Sequence, residues 1–403
     1  MTNRISVVGL GADGWRGLTA NARDHINAAD VLMGSRRQLA LIPTDRKVRV
    51  EWPSPLVPAL PGLLAQHADS KVCVLASGDP MFHGIGVTLA GLAGAENLDV
   101  VPAASSASLA CARLGWPLAD IPVISLVSRN VAVILPELAP GRRLLILSRD
   151  GSTPAAVAAR LTEWGFGAST VTVLEELGGP AERVCAGKAA DWDVDCAALN
   201  VVAVAVAGGG TQRLTRMPGL PDDVYGANGQ LTKQEMRALT LSALGPAPGE
   251  LLWDVGAGSG SIAIEWMRTH ISCRAVAFES RQDRIGRIIA NAERLGVPDL
   301  HVTGAAPASF GGLADRFMLP DAVMVGGGVT QPALLEESWR HLRPGGRMVV
   351  NAVTAESEAL LVRWFSHRGG SLRKMQFYRA APLGDFTTWR PQLPGTQWIG
   401  TKQ

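Results

Sequence analysis

The sequence predicts an α/β protein of two domains, the second built on a doubly wound, Rossmann-like parallel sheet. Three observations carry that prediction. The chain has 403 residues, more than one typical domain holds. In both halves short β-branched runs alternate with longer Ala/Leu/Arg-rich segments, the pattern of strands and covering helices. Finally, the stretch LLWDVGAGSGSIAIEWMR, from residue 251, ends an apolar run in Asp254 and breaks at Gly256, Gly258 and Gly260. It then resumes at helical spacing, which reads as strand, tight turn and helix.

Taken in order, ISVVGLG, KVCVLASGDP, LDVVPAASSASLA, RRLLILS and STVTVLEELG each read as a strand running into a turn. The fourth and fifth enclose a helix that Ser152 and Thr153 can cap, with Pro154 in its first turn, and this βαβ unit is expected to open a second lobe near residue 143. An alternating run from Val202 stops at Gly208, where turn-formers and prolines follow, so a seam is expected over 208–217, between domains at 1–207 and 218–403. Beyond it the order is regular. Strands LLWDV, RAVAFES, HVTGAAP, DAVMVGGG and GGRMVVNAV are separated in part by the helices SIAIEWMRTH and RQDRIGRIIANAERLG. A binding crevice is expected at the C-terminal ends of these strands.

Composition excludes several classes. With 38 basic and 36 acidic side chains the net charge is +2, so no general attraction to nucleic acid or anionic membrane is expected, and anion binding must be local. No apolar run reaches a membrane span, and the N-terminus does not read as a signal peptide. The five cysteines lie far apart in sequence, and no CxxC, Cys/His cluster or HExxH offers a metal site. Reduced thiols and a cytoplasmic location are the simplest reading.

The glycine turn identifies a ligand class. A dinucleotide site usually reads G-x-G-x-x-G, whereas this one reads G-x-G-x-G with Asp254 just before it. Glu279 falls at the end of the next strand, where a carboxylate can accept both ribose hydroxyl protons. That combination favours S-adenosylmethionine, contacted by Gly256, Ala257, Gly258, Ser259, Gly260 and Glu279.

LTKQEMRALTLSALGPAPGELLWDVGAGSGSIAIEW, with FES, NAERLGV, HVTGAAP and VGGG downstream, resembles the decarboxylating C-terminal module of the precorrin-6Y methyltransferases, a class I methyltransferase fold. VVGLGADG, VLMGSRRQLALIP, ASGDPMFHGIG, VPAASSASLACARLGWP and LEELGGPAERV resemble the tetrapyrrole (precorrin) methylases, a two-lobed methyltransferase fold unrelated to the doubly wound one. The first turn, GLGADG, departs from the GPG-like end of many such methylases, and SLVSRN lacks their His-Gly.

The resemblance implies one S-adenosylmethionine per domain. In the first domain it implies contacts from Gly78, Asp79, Pro80 and His83, from Ser105, Ser106 and Ala107 at a helix start, and from Leu177 and Gly178. Gly9 and Gly11 would shape a substrate trough. In the second domain Thr232, Gly304 and Ala305 would join the turn residues, although helix capping alone accounts for Thr232 and Glu235. Arg36, Arg37 and Arg113 are candidate partners for the carboxylates of a tetrapyrrole, or else solvated surface cations. Tyr225 and Arg237 are the candidate catalytic groups, Tyr225 as proton donor or substrate lid.

The implied reactions are methylation of carbon 5 by the first domain, and by the second methylation of carbon 15 with decarboxylation of the ring-C (C12) acetate, taking precorrin-6B to precorrin-8. A homo-oligomer and hand-off to neighbouring pathway enzymes are implied too. Two alternatives stay open: a methyltransferase acting on another tetrapyrrole or on RNA or protein, and a non-catalytic corrinoid carrier. VGGG stands where an amino-group methylase would carry N/D-P-P-Y.

Overall fold

Buried apolar runs form the centre of the three larger sheets. The computed structural model describes residues 4–44, 46–209, 214–226 and 231–403, so residues 210–213 of the expected seam and 227–230 of the polar loop lie outside the described residues. The chain divides into two compact units, one within 1–131 and 137–211, the other within 132–136 and 212–403.

The first unit runs β1 (Ile5–Leu10), α1 (Ala20–Ala28), β2 (Val31–Gly34), α2 (Arg36–Ala40), β3 (Val48–Glu51), α3 (Leu56–Gln66), β4 (Val72–Ser77), α4 (Ile85–Ala93), β5 (Leu98–Val101) and α5 (Ser106–Leu114). It continues with β6 (Val123–Ser125), β7 (Arg143–Leu147), α6 (Thr153–Glu163), β8 (Thr170–Glu175), β9 (Arg183–Lys188) and β10 (Asn200–Ala205). The first sheet has the order β3-β2-β4-β1-β5 and is parallel throughout. Its central strands β1 and β4 are continuous apolar runs because helices cover both faces. The second sheet, β6-β7-β10-β8-β9, is mixed. It starts one strand before the expected residue 143, because β6 is a three-residue strand too short to announce itself. Helix α5 packs Ala107, Ala110 and Cys111 against Leu145, Leu174 and Val201 of that sheet.

The second unit runs α7 (Gln234–Leu244), β11 (Leu251–Val255), α8 (Ser261–Thr269), β12 (Arg274–Phe278), α9 (Gln282–Arg294), β13 (His301–Thr303), β14 (Ala322–Val325), α10 (Leu334–His341), β15 (Arg347–Ala352) and α11 (Ala355–Arg368). Four strands end it: β16 (Ser371–Met375), β17 (Tyr378–Leu383), β18 (Phe386–Pro391) and β19 (Gly395–Thr401). The sheet order is β13-β12-β11-β14-β15-β19-β16. Only β19 runs against its neighbours, β15 and β16. Strand β11 feeds both faces: Leu252 joins the core beneath α8 and α9, while Leu251, Trp253 and Val255 join an aromatic core with Phe278 and Phe310. Trp253 lies 4.6 Å from the Phe310 ring centroid and 5.2 Å from that of Phe278. The order reverses direction between β11 and β14, which opens the crevice at their C-terminal ends. Among the described residues no helix is long and apolar enough to cross a membrane.

Candidate functional site

In the first unit the parallel strands deliver their turns to one cavity, lined by Gly11, Arg37, Gly78, Ser106, Leu177 and Asn200 among others. Gly9 does not line it: a Cβ there would lie 2.2 Å from the Gly78 carbonyl oxygen, so the first strand needs glycine in order to pack on the next turn. Gly78 has φ +59 and donates its N–H to the Leu10 carbonyl at 2.9 Å. Asp79 accepts from the Met81 N–H at 2.8 Å and, with Ser105, lines a neighbouring hollow. The Pro80 carbonyl accepts from Gly86 N–H, while His83 is exposed and left-handed, φ 55. Ser105 caps α5, accepting from Ser108 N–H at 3.0 Å. That leaves Ser106 facing the cavity, and Ala107 packs in the core.

The arginines separate. Arg37 lines the cavity and donates to Ser77 Oγ at 3.0 Å, whereas Arg36 is exposed at the start of α2. Arg113 is not a spare cation. Its guanidinium grips Glu182 with two bonds, 2.6 and 3.0 Å, and Glu182 also accepts the Gly178 N–H at 2.7 Å. This grip holds the Glu182 carboxyl below its ordinary range. Arg113 therefore anchors the turn that carries Leu177 and Gly178. Asn200 carries no sequence signal, yet it lines the cavity, accepting from Ser148 Oγ at 2.6 Å and donating to the Ala197 carbonyl at 2.7 Å.

In the second unit the turn after β11 is braced from below and beside. Buried Asp254 accepts the Ala263 N–H in the first turn of α8 at 3.1 Å. Burial pushes its carboxyl up to about 7, opposed by that N–H and aided by the charge of Glu279. The outer glycines serve packing. A Cβ on Gly256 would lie 2.8 Å from Gly327 backbone, and one on Gly260 would lie 2.7 Å from Ile288 Cγ2. The middle glycine, Gly258, donates its N–H to Glu279 Oε2 at 3.0 Å, and Arg281 N–H reaches Oε1 at 3.0 Å. Ser280 Oγ adds a long bond to Oε1 at 3.4 Å, and Arg284 stands 3.8 Å from Oε2. Of about four lone-pair positions on a carboxylate, Oε2 keeps one, and the weakly held second position on Oε1 is the other that a diol could take. Gly304 and Ala305 follow β13, whose Thr303 pairs with Phe278, on the same edge of the sheet. Asn291, which sequence reading passed over, is buried on α9. It donates to the Ser259 carbonyl at 3.0 Å and accepts the Gly226 N–H at 2.9 Å, tying the polar loop to the glycine turn.

Tyr225 and Arg237 do not open onto this crevice. The Tyr225 hydroxyl donates to Glu265 Oε1 at 2.8 Å, and Arg237 Nε donates to the same oxygen at 2.6 Å. Arg237 also holds Asp222 at 3.1 Å and the carbonyls of Thr232 and Leu220. Glu265 accepts two further N–H groups, from Gly219 and Leu220. Arg237 is 0% exposed and Tyr225 5%. Burial, then the Glu265 charge, raises the phenol well above its ordinary range. The expected donor and lid are instead the inside of a clasp. Thr232 does not cap α7 either: Lys233 is the N-cap, without a side-chain bond. Thr232 instead gives its carbonyl to Arg237, and Glu235 pairs with Arg379 at 2.7 Å.

One expectation about cysteines also changes. Cys185 on β9 and Cys196 on the following loop come together with Glu175, their ligand atoms within 4.8 Å of one another, because β9 folds back beside β8 and the chain then returns towards β10.

Comparison with known proteins adds three findings. Residues 4–193 match the profile of the tetrapyrrole (corrin/porphyrin) methylases, and residues 223–402 match that of the precorrin methyltransferase domain. A precorrin-6Y C(5,15)-methyltransferase (decarboxylating) of Mycobacterium tuberculosis is 48% identical over 404 residues, covering 99% of this chain and 100% of that protein. Two shorter proteins are each 31% identical. The cobalt-precorrin-7 C(5)-methyltransferase of Salmonella typhimurium covers 45% of this chain and 88% of its own length. A protein of Saccharolobus solfataricus named "Probable cobalt-precorrin-6B C(15)-methyltransferase (decarboxylating)" covers 35% of this chain and 72% of its own length.

Proposed function

Because this chain belongs to the precorrin-6Y C(5,15)-methyltransferases (decarboxylating) of cobalamin biosynthesis, we propose that its two halves divide the chemistry, each with its own S-adenosylmethionine. Residues 1–207 methylate carbon 5. Residues 218–403, joined to them by 208–217, decarboxylate the C12 acetate and methylate carbon 15, so that precorrin-6B becomes precorrin-8. The observation that carries this reading is that each unit has a separate cofactor-like feature: the cavity beside Gly78, Ser106 and Leu177 in one, and the turn closed by Glu279 in the other. The two shorter relatives, each named for one methylation position, support the division.

S-adenosylmethionine supplies a methyl group already activated on a sulfonium, which an electron-rich ring carbon can take in line without a protein nucleophile. The protein's part is alignment and exclusion of water. Glu279, fixed by Gly258 and Arg281 N–H, is suited to hold the ribose hydroxyls with its remaining lone pairs. Arg37 presents a guanidinium at the first cavity, where it can meet a propionate or acetate bidentately. For decarboxylation the conjugated tetrapyrrole is its own electron sink: the bond to the carboxylate breaks, its electron pair passes into the ring system, CO2 leaves and a proton completes the methyl group. The site must therefore desolvate the carboxylate and supply a proton. Tyr225, Glu265 and Arg237 contribute from behind by holding Gly219, Leu220, Asp222 and Thr232 in place.

We infer that the chain works in the cytoplasm, where free thiols such as Cys73, Cys111, Cys185, Cys196 and Cys273 stay reduced, and that it forms a homo-oligomer. Self-association is supported by the β17–β18 hairpin, where Phe386 is 79% and Trp389 70% exposed. Replacing both by serine should lower the mass measured by light scattering, and an unchanged mass would exclude the hairpin.

Incubation with precorrin-6B and methyl-labelled S-adenosylmethionine tests the division. Residues 218–403 alone should release CO2 and add one methyl, and residues 1–207 should add one methyl and release none. CO2 from the N-terminal fragment, or only from the intact chain, would refute it.

A further inference from the structure

We propose that Cys185, Cys196 and Glu175 form a binding site for a thiophilic divalent cation of the zinc class, at the edge of the second sheet of the first unit. Among the described residues they are the one group of three ligating side chains whose donor atoms converge, all within 4.8 Å of one another. Tetrahedral zinc, with bonds to sulfur of about 2.3 Å and to carboxylate oxygen of about 2.0–2.2 Å, places its ligand atoms roughly 3.5–3.8 Å apart. Side-chain rotation therefore closes the remaining gap of about an ångström. Both thiols are half-buried and free, so neither deep core packing nor a disulfide holds them.

The carboxylate is already oriented as a ligand would be. Arg183 grips Glu175 along one edge, Nε to Oε2 at 2.6 Å and Nη2 to Oε1 at 2.8 Å, and Ala197 N–H adds a third bond to Oε1 at 2.8 Å. Of about four lone-pair positions on a carboxylate, this leaves one on Oε2. Outer hydrogen bonds of this kind commonly fix metal-ligating carboxylates.

The charges balance as well. Two thiolates and a carboxylate oppose a divalent cation and the Arg183 guanidinium, so the filled site is neutral. Binding releases the two thiol protons to solvent. Thiolates select the zinc class over magnesium or calcium, and a water completes the fourth position, as three-ligand zinc sites allow.

The site would fasten β9 to the segment that ends at Asn200. Ala197 donates to Glu175 and accepts from Asn200 Nδ2 at 2.7 Å, and Asn200 lines the first cavity. The cation would thus stiffen one wall of that cavity from outside.

The test uses the full, untagged, reduced and chelator-treated chain, titrated with Zn²⁺ alone by calorimetry and with Co²⁺ by absorption. The expected result is one ion per chain, a thiolate-to-cobalt charge-transfer band, and two of the five cysteines shielded from alkylation. Cys185→Ser or Cys196→Ser should weaken Zn²⁺ at least tenfold with the circular dichroism unchanged. Cys273→Ser, in the second unit, should have no effect. Cobalt binding without a thiolate band, unchanged affinity in Cys196→Ser, or no binding by the wild-type chain would each overturn the proposal.

Discussion

Glu265, on the buried face of α8, the helix that follows the glycine turn, accepts four donors: Gly219 N–H, Leu220 N–H, the Tyr225 hydroxyl and Arg237 Nε. Removing its charge would leave Arg237 buried with Asp222 as its one remaining carboxylate. Breaking a buried pair in this way costs about 3–5 kcal/mol. Glu265→Gln should therefore unfold in urea with a loss of about 3 kcal/mol, and a loss under about 0.5 kcal/mol would show that the clasp is not a stabilising element. Asp254 gives a pH signature. Its carboxyl rises from 3.8 to about 7 on folding, so the folded state favours the protonated form. The stability that preference contributes is complete below about pH 4 and lost as pH rises to about 7. Relative to wild type, Asp254→Asn should gain stability across that window, by up to about 1.4 kcal/mol per pH unit. A pH-independent difference in denaturation midpoints would contradict the assignment. Sequence reading reached Tyr225 and Arg237 through their rarity and their motif, but residue type cannot reveal which way a polar side chain points. Both point inward because a buried carboxylate, Glu265, waits there.

At the level of elements, the central parallel strands β1, β4, β11, β12 and β14 were legible because burial on both faces makes each a continuous or nearly continuous apolar run. The exposed hairpin β17–β18, the late antiparallel β19 and the short β6 lack that signal, and none was anticipated. The glycine turn was read correctly as a turn, but its residues do different work. Gly260→Ala would drive a Cβ into Ile288 Cγ2, a side chain that can be shortened, whereas Gly256→Ala would meet Gly327 backbone, which cannot. Both positions also have positive φ, +76 and +70. Each substitution should cost about 1–3 kcal/mol. Adding Ile288→Ala should recover part of the loss for Gly260→Ala and none for Gly256→Ala. Equal response of the two in a double-mutant cycle would mean that backbone strain alone sets the cost.

For the whole molecule, the sequence motifs named two methyltransferase folds in one chain, and residues 4–193 and 223–402 match the two corresponding families. What they could not supply was the position of single side chains around each site: Arg37 facing the first cavity while Arg36 does not, Arg113 tied to Glu182, and Asn291 joining loop to turn. Those depend on register and on partners distant in sequence. Calorimetric titration of S-adenosylmethionine into the intact chain tests directly whether each unit holds its own molecule of it. The prediction is two molecules per chain, falling to one in Glu279→Ala, which removes the carboxylate proposed to hold the ribose diol in the second unit, and to one in Ser106→Trp, which fills the cavity of the first. A wild-type chain that binds one molecule, or a Glu279→Ala chain that still binds two, would contradict it.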